Sequence, residues 1–363
     1  MSLIRHHKSL PKSSIAKQTG LSAQAATVII NKLEEDGLVQ RGAPLKGNRG
    51  QPSVPFSLNP DGAFGIGVKI GRRNISVTLI NFTGTVVTSY SKQWEYPSVA
   101  TMRTFLKQSI DQIISQLPYD QQQRISGIGV AMPFELWRWS AQTGAPDTEL
   151  SAWKLIDIQA EVQQFSDLPV FLCNDDTAAC AAELWFGAHS NLTDYLYCFI
   201  GTFIGGGLVL NRHLHTGRTG NAGAIGSLPT FSGTTSQQLI EQSSLYLLEQ
   251  HLRKMAIDTR FLHHQPMHWP NDLPLLDDWI AQVTDGLVHT AVSAQAFLDL
   301  DAIVIDGTLP EHIKHRIVSQ CQTKLATADL RGLCPIAVHA GSVGPGAQAL
   351  GSANLPLLAL YGI

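Results

Sequence analysis

Long apolar stretches are missing from this chain of 363 residues: no run of 18 or more hydrophobic residues occurs, which excludes a membrane-spanning helix. The opening MSLIRHHKSLPKSS has no apolar core of the kind a secretory leader needs, so the expected location is the cytoplasm. Cysteine is scarce and scattered. Cys173, Cys180, Cys198, Cys321 and Cys334 form no close pairs, which argues against a disulfide framework and against a Cys-x-x-Cys zinc site. They read as small buried hydrophobes. Charged residues make up only 15% against 44% hydrophobic, the balance of a globular protein, and the length suits two or three compact units.

Charge is present but unevenly placed. Residues 1–60 hold eight basic groups (Arg5, Lys8, Lys12, Lys17, Lys32, Arg41, Lys46, Arg49) against three acidic ones, Glu34, Glu35 and Asp36. From totals of 26 and 29, the remainder keeps 18 basic and 26 acidic groups, so the two parts carry about +5 and −8. A small basic part suggests contact with a polyanion.

Within those sixty residues, Ser13 or Ser14 is expected to cap a short helix through Thr19, with Ile15 and Ala16 inward and Gly20 ending it. Leu21 is expected to supply a core contact in the turn. Ser22 caps a second helix to about Glu35, with Ala25, Val28, Ile29 and Leu33 as its buried stripe. Gln24, Thr27, Asn31 and Lys32 then face outward, able to reach base edges and phosphates. Leu38–Arg41 and Val54–Leu58 read as short strands, and the Gly- and Pro-rich segment 42–53 between them, with Lys46 and Arg49, as a basic wing. Helix, turn, helix and wing is the order of a winged helix-turn-helix. The phrase Ile15-Ala-x-x-Thr19-Gly20-Leu21-Ser22 followed by Leu33-Glu-x-x-Gly37-Leu38-Val39 is more specific than charge. A small helical adaptor with a solvated face is the alternative. Few residues precede these helices: either a supporting helix is short, around Leu3 to His7, or the sequence starts inside the unit.

Pro60-Asp61-Gly62 marks a turn and a boundary, giving units at 1–60 and 61–363. Strands are expected at Phe64–Ile70, Asn74–Ile80 and Thr85–Ser89, a helix at Ser98–Leu117, and a strand at Ile125–Met132. The layout restarts at Tyr195–Ile200, then a glycine turn, Gly207–Asn211 and later Ala302–Ile305. Two similar α/β halves, at about 61–180 with the C-terminal helix and 181–340, imply a cleft between them.

Residues 174–188 read NDDTAACAAELWFGA and residues 201–226 read GTFIGGGLVLNRHLHTGRTGNAGAIG. With Ala340-Gly-Ser-x-Gly344-Pro and Ala349-Leu-Gly-Ser-Ala353 near the end, the chain resembles the repressor branch of the ROK family (repressors, open reading frames and kinases). That resemblance implies a two-lobed actin/hexokinase-like, ribonuclease H-like α/β domain behind the winged helix. It implies Asn174 and Asp175 as ligand-binding residues, Asp175 matching the kinases' catalytic aspartate.

Other family positions depart from the kinase pattern. The first phosphate segment, Asp-x-Gly-x-Thr in the family, reads Lys69-Ile70-Gly71-Arg72-Arg73, so Arg73 is expected to fill the space of a small hydroxyl. In the second loop, Gly201-Thr202-Phe203-Ile204-Gly205, Phe203 replaces a glycine and obstructs close backbone approach to phosphate. Ile305-Asp306-Gly307 replaces paired glycines on the adenine side, and Phe134 replaces one beside the sugar. Ala224 and Ser227 stand where relatives carry Glu and His, and the family's zinc cysteines are missing, so no metal and no cofactor is expected. His263, His264 and His268 read as surface histidines.

The expected function is a DNA-binding transcriptional regulator, a repressor of carbohydrate uptake or metabolism genes controlled by a small ligand in the cleft, that is not an enzyme. Its partners would be a double-stranded operator and a small effector of the sugar class, its state a homodimer or dimer of dimers. A ROK sugar kinase with Asp175 as general base, and a regulator without a small-molecule effector, stay open as alternatives.

Overall fold

The computed structural model describes residues 1–44, 53–139, 145–232 and 235–362. Lys46 and Arg49, and most of the expected wing, lie outside the described residues.

The N-terminal unit contains helices α1 (Ser2–His7), α2 (Lys12–Thr19) and α3 (Ala23–Glu35) with strands β1 (Leu10–Pro11), β2 (Val39–Arg41) and β3 (Pro55–Leu58). β3 pairs antiparallel with both β1 and β2. The two-residue β1 had no legible signal. It also moves the start of α2: Pro11, held extended by its pairing with β3, is the N-cap, and Ser13 and Ser14 fall inside the helix. Proline's fixed φ suits that handover. Gly20 does end α2 in the left-handed region, at φ 71°.

The stripe on α3 is corrected. Ala26 and Ile30 are 1% and 2% exposed, whereas Val28 and Ile29 are 62% and 46% exposed. Both sets obey the helical period, so sequence spacing could not choose between them. Contact with Ile15, Val39 and Phe56 chose Ile30. Leu21 is likewise 41% exposed and makes no core.

Behind this unit stand two five-stranded sheets of one plan. The first contains β4 (Phe64–Ile70), β5 (Asn74–Asn81), β6 (Val86–Gln93), β7 (Ile125–Met132) and β8 (Val170–Asn174), ordered β6-β5-β4-β7-β8. The second contains β9 (Tyr195–Ile200), β10 (Ile204–Leu210), β11 (His213–His215), β12 (Ala302–Gly307) and β13 (Ala337–Ala340), ordered β11-β10-β9-β12-β13. In each, three antiparallel strands are followed by two parallel ones. The glycine turn between β9 and β10 is shorter than expected, because Gly205 and Gly206 are already paired with β9.

Helix α4 (Val99–Gln116) covers the first sheet, with Met102, Leu106, Ile110 and Ile113 in its core. α5 (Asp175–Phe186) leaves the first sheet toward the second. In the second lobe, α6 (Leu245–Lys254), α7 (Leu276–Leu298) and α8 (Glu311–Thr327) supply the core facing Ile303 and Ile305. α9 (Ala347–Tyr361) returns to lie on the first sheet. Its backbone comes so close that a Cβ at Gly129 would stand 1.9 Å from the carbonyl oxygen of Ser352, which is why β7 carries glycine there.

The core of the N-terminal unit does not stop at residue 60. Ile4, Ile30, Phe56 and Leu58 share one buried cluster with Ile80, Phe82, Ala353 and Leu357. Of the cysteines, Cys180, Cys198 and Cys321 are buried, but Cys173 is half-buried and Cys334 exposed.

Candidate functional site

Between the lobes lies a cavity of about 360 Å³ whose lining includes Phe134, Glu135, Arg138, Asn174, Asp175 and Asp176. Asn174 caps α5, its Oδ1 accepting from the backbone N–H of Asp176 at 2.9 Å. That bond occupies the oxygen and leaves the amide nitrogen as the side chain's donor. Asp175 is 4% exposed and accepts from Gln348 Nε2 at 3.1 Å. The same amide nitrogen reaches Asp176 at 3.0 Å. Gln348 sits in the first turn of α9, some 170 residues away in sequence, and no local signal pointed to it. A Cβ at Gly205 would stand 1.8 Å from Asp176 Oδ2, so glycine in β10 admits this carboxylate.

Burial pushes the Asp175 carboxyl up, against the opposing charges of Arg72 and Lys69. Burial and the charge of Asp175 push Asp176 well above the usual range. Burial lowers Lys69 to about 8 despite both carboxylates. The cleft floor is therefore a buried cluster of two acids and two bases, drawn from both phosphate-segment and sugar-motif positions.

A second space, of about 80 Å³, lies beside Lys69, Gly71 and Phe203. Lys69 donates to Asn74 Oδ1, and the Gly71 carbonyl accepts from Trp94 Nε1 at 3.0 Å. Arg73, expected to fill this space, is one of its lining residues, with Nη1 donating to the Glu95 carbonyl at 2.7 Å and Nη2 3.6 Å from Glu249. Arg72 lines the same space, its guanidinium carbon 4.3 Å from the Phe203 ring centroid. Both arginines lie in the bend between β4 and β5. Gly201 and Thr202 line this small space with Phe203.

His263 is not a surface residue. It contacts Glu249 at 3.2 Å, in a cluster with Arg73 and Arg253. Asp306 is fully buried, where it meets Lys314 Nζ at 3.1 Å, Tyr197 Oη at 3.1 Å and the Gly344 N–H at 2.8 Å. Ala224 and Ser227 line the cleft. Among the described residues, no group of three or more His, Cys, Asp or Glu is placed to hold a metal ion.

On α3, Ser22 Oγ caps the helix, accepting from the Ala25 N–H at 3.1 Å. Gln24 is exposed. Thr27 turns its hydroxyl to the Ala23 carbonyl at 2.8 Å, Asn31 accepts from Lys12 Nζ at 2.6 Å, and Lys32 pairs with Asp36 at 2.8 Å.

Residues 65–235 match the ROK family, and residues 1–46 match the MarR family. The chain carries a ROK-family domain. It is 26% identical to the xylose repressor of Bacillus subtilis (strain 168) over 219 residues, 60% of this chain and 56% of that protein. The match thus spans little more than half of that relative. Among solved structures, a ROK family transcriptional regulator described as a homologue of the E. coli MLC protein superposes with a TM-score of 0.65 at 19% identity, over 96% of this chain and 91% of that one. The ROK hexokinase of Thermus thermophilus gives 0.59 at 21% identity, over 83% and 100%. The ROK domain thus has the sugar-kinase-like fold, preceded by a MarR-type winged helix.

Proposed function

We propose that this chain is a DNA-binding transcriptional regulator of the repressor type, controlled by a small sugar-class ligand in the cleft of its ROK domain. The observation that carries the reading is that two helices each join the cleft to the N-terminal unit. α5 begins at Asn174 and Asp175 and ends at Trp185 and Phe186, whose rings lie 5.2 and 4.6 Å from the Arg5 guanidinium. α9 begins near Gln348 and carries Asn354, whose Oδ1 accepts from Arg5 Nη2 at 3.3 Å. A ligand that alters the bonds of Asp175, Asp176 and Gln348 therefore acts on two rods that hold α1.

Such a ligand must bind one arrangement better than the other, since equal affinity shifts nothing. Two copies of the chain, as a homodimer or dimer of dimers, would set two α3 helices into successive major grooves. Lys32, Lys46 and Arg49 are assigned to phosphates, and Gln24, Thr27 and Asn31 to base edges, with Ser22 as the cap at the helix entrance. Among the described residues no helix is long and apolar enough to cross a membrane, and no membrane partner is assigned.

The chain is read as a non-enzyme, a reading supported by Arg72 stacked on Phe203 beside a space of about 80 Å³. Retention of Asp175 on the cleft floor favours the kinase reading. Selection of bound DNA fragments, with and without a hexose and amino-sugar panel, tests the regulator. A coupled phosphoryl-transfer assay on the same panel tests the kinase. Turnover that Asp175→Asn abolishes would replace the present reading.

A further inference from the structure

We propose that Val28 reads the 5-methyl groups of thymine in the operator's major groove. The inference rests on the DNA-binding reading and assigns to α3 an apolar contact that motif analysis placed in the core.

Ala26 and Ile30 fix the inward direction of α3. At about 100° per residue, Val28 lies roughly 200° from Ala26 and 160° from Ile30, at the centre of the opposite face. It is 62% exposed, the most exposed large hydrophobic of the N-terminal unit among the described residues. Gln24, four residues before, and Asn31, three after, lie on the same stripe and are also exposed. Thr27 stands to one side with its hydroxyl bound to the Ala23 carbonyl.

An outward helical face in water gains nothing from a β-branched apolar residue, which is a poorer helix former than Lys, Glu or Gln. A major groove rewards one. Thymine presents there a methyl group that no other base has, and aliphatic side chains are its partners. Charge complementarity selects DNA over an apolar protein partner. The face is flanked by Lys12, whose Nζ is bonded to Asn31, and by Lys32, in a unit with eight basic against three acidic groups. Polar Gln24 and Asn31 would read base edges on either side, and Val28 would exclude water and favour T between them.

The test uses the full chain and a duplex obtained by selection, at fixed salt. Each thymine is replaced in turn by deoxyuridine, which removes the methyl and nothing else. One or two positions per half-site should weaken binding roughly fourfold, the transfer value of one buried methyl group. Val28→Ala should bind the thymine duplex more weakly and lose its sensitivity at those positions, while Ile29→Ala keeps it. Both variants should keep the wild-type unfolding profile, because neither side chain is in the core. Equal binding of thymine and uridine duplexes at every position overturns the assignment while leaving the regulator reading intact. A Val28→Ala variant with unchanged uridine sensitivity but an altered sedimentation coefficient also overturns it, in favour of an interface between copies. Failure to bind any duplex overturns both.

Discussion

Arg72 of the first lobe covers the ring of Phe203 of the second, guanidinium carbon to centroid 4.3 Å, so the β4–β5 turn and the β9–β10 loop close on each other. Phe203 is 5% exposed and also meets Tyr246 edge to face at 5.1 Å. A cation over an aromatic ring contributes about 0.5–2 kcal/mol, more when desolvated.

Nucleotide should therefore leave the chain unchanged. Calorimetric titration with magnesium ATP is expected to give no binding heat, and thermal unfolding no shift. Phe203→Ala should cost about 3–5 kcal/mol of stability, measured by urea unfolding, because it empties a packed interlobe position.

The buried Asp175–Asp176 pair makes stability fall with pH. Their folded-state pKa values lie above the ordinary 3.8, so the folded form keeps protons that the unfolded form has released. This contribution is full below about pH 4 and is lost as pH rises through the folded values. Lys69 acts in a different window and with opposite slope. Its pKa falls from 10.5 to about 8, so stability should recover between those values, on the order of 1–3 kcal/mol. Asp176→Asn should flatten the acid limb and Lys69→Met the alkaline limb of a stability–pH curve measured in urea.

Lys314 is 1% exposed and compensates Asp306, which is fully buried. Its Nζ also donates to the Gly341 carbonyl at 2.6 Å. Lys314→Met should cost about 3–5 kcal/mol, since it strands a carboxylate in the interior. Pairing it with Asp306→Leu should recover part of that loss in the same unfolding measurement.

Arg5 is the joint between the N-terminal unit and the ROK domain, and burial lowers its guanidinium to about 10. Arg5 Nη1 and Asn354 Nδ2 are each buried without a hydrogen-bond partner, so the joint is held below its full bonding capacity. Arg5→Ala should remove about 0.5–2 kcal/mol from the contact with Trp185 and Phe186. DNA affinity without ligand should change little, and the response of DNA affinity to an active sugar should shrink. Fluorescence anisotropy with a labelled duplex, with and without that sugar, reads both.

How far the sequence reached depends on whether a feature is local. Phe64–Ile70, Ile125–Met132 and Tyr195–Ile200 are strands at the residues their apolar runs indicated, because a buried strand writes its whole burial into consecutive residues. The glycine that ends α2 was likewise legible. Gln348, Arg5 and the Lys314–Asp306 pair were not. Each works through a partner distant in the chain, and composition carries no distance.

By itself the amino-acid sequence determined the repeated α/β layout and the basic character of residues 1–60. Periodicity, turn chemistry and charge are local quantities, and they suffice for that. Only the tertiary structure decided which face of α3 is buried, which partners two adjacent arginines meet, and how the cleft is tied to the N-terminal unit. Those outcomes depend on what packs opposite each side chain, and two registers with the same period differ in nothing else.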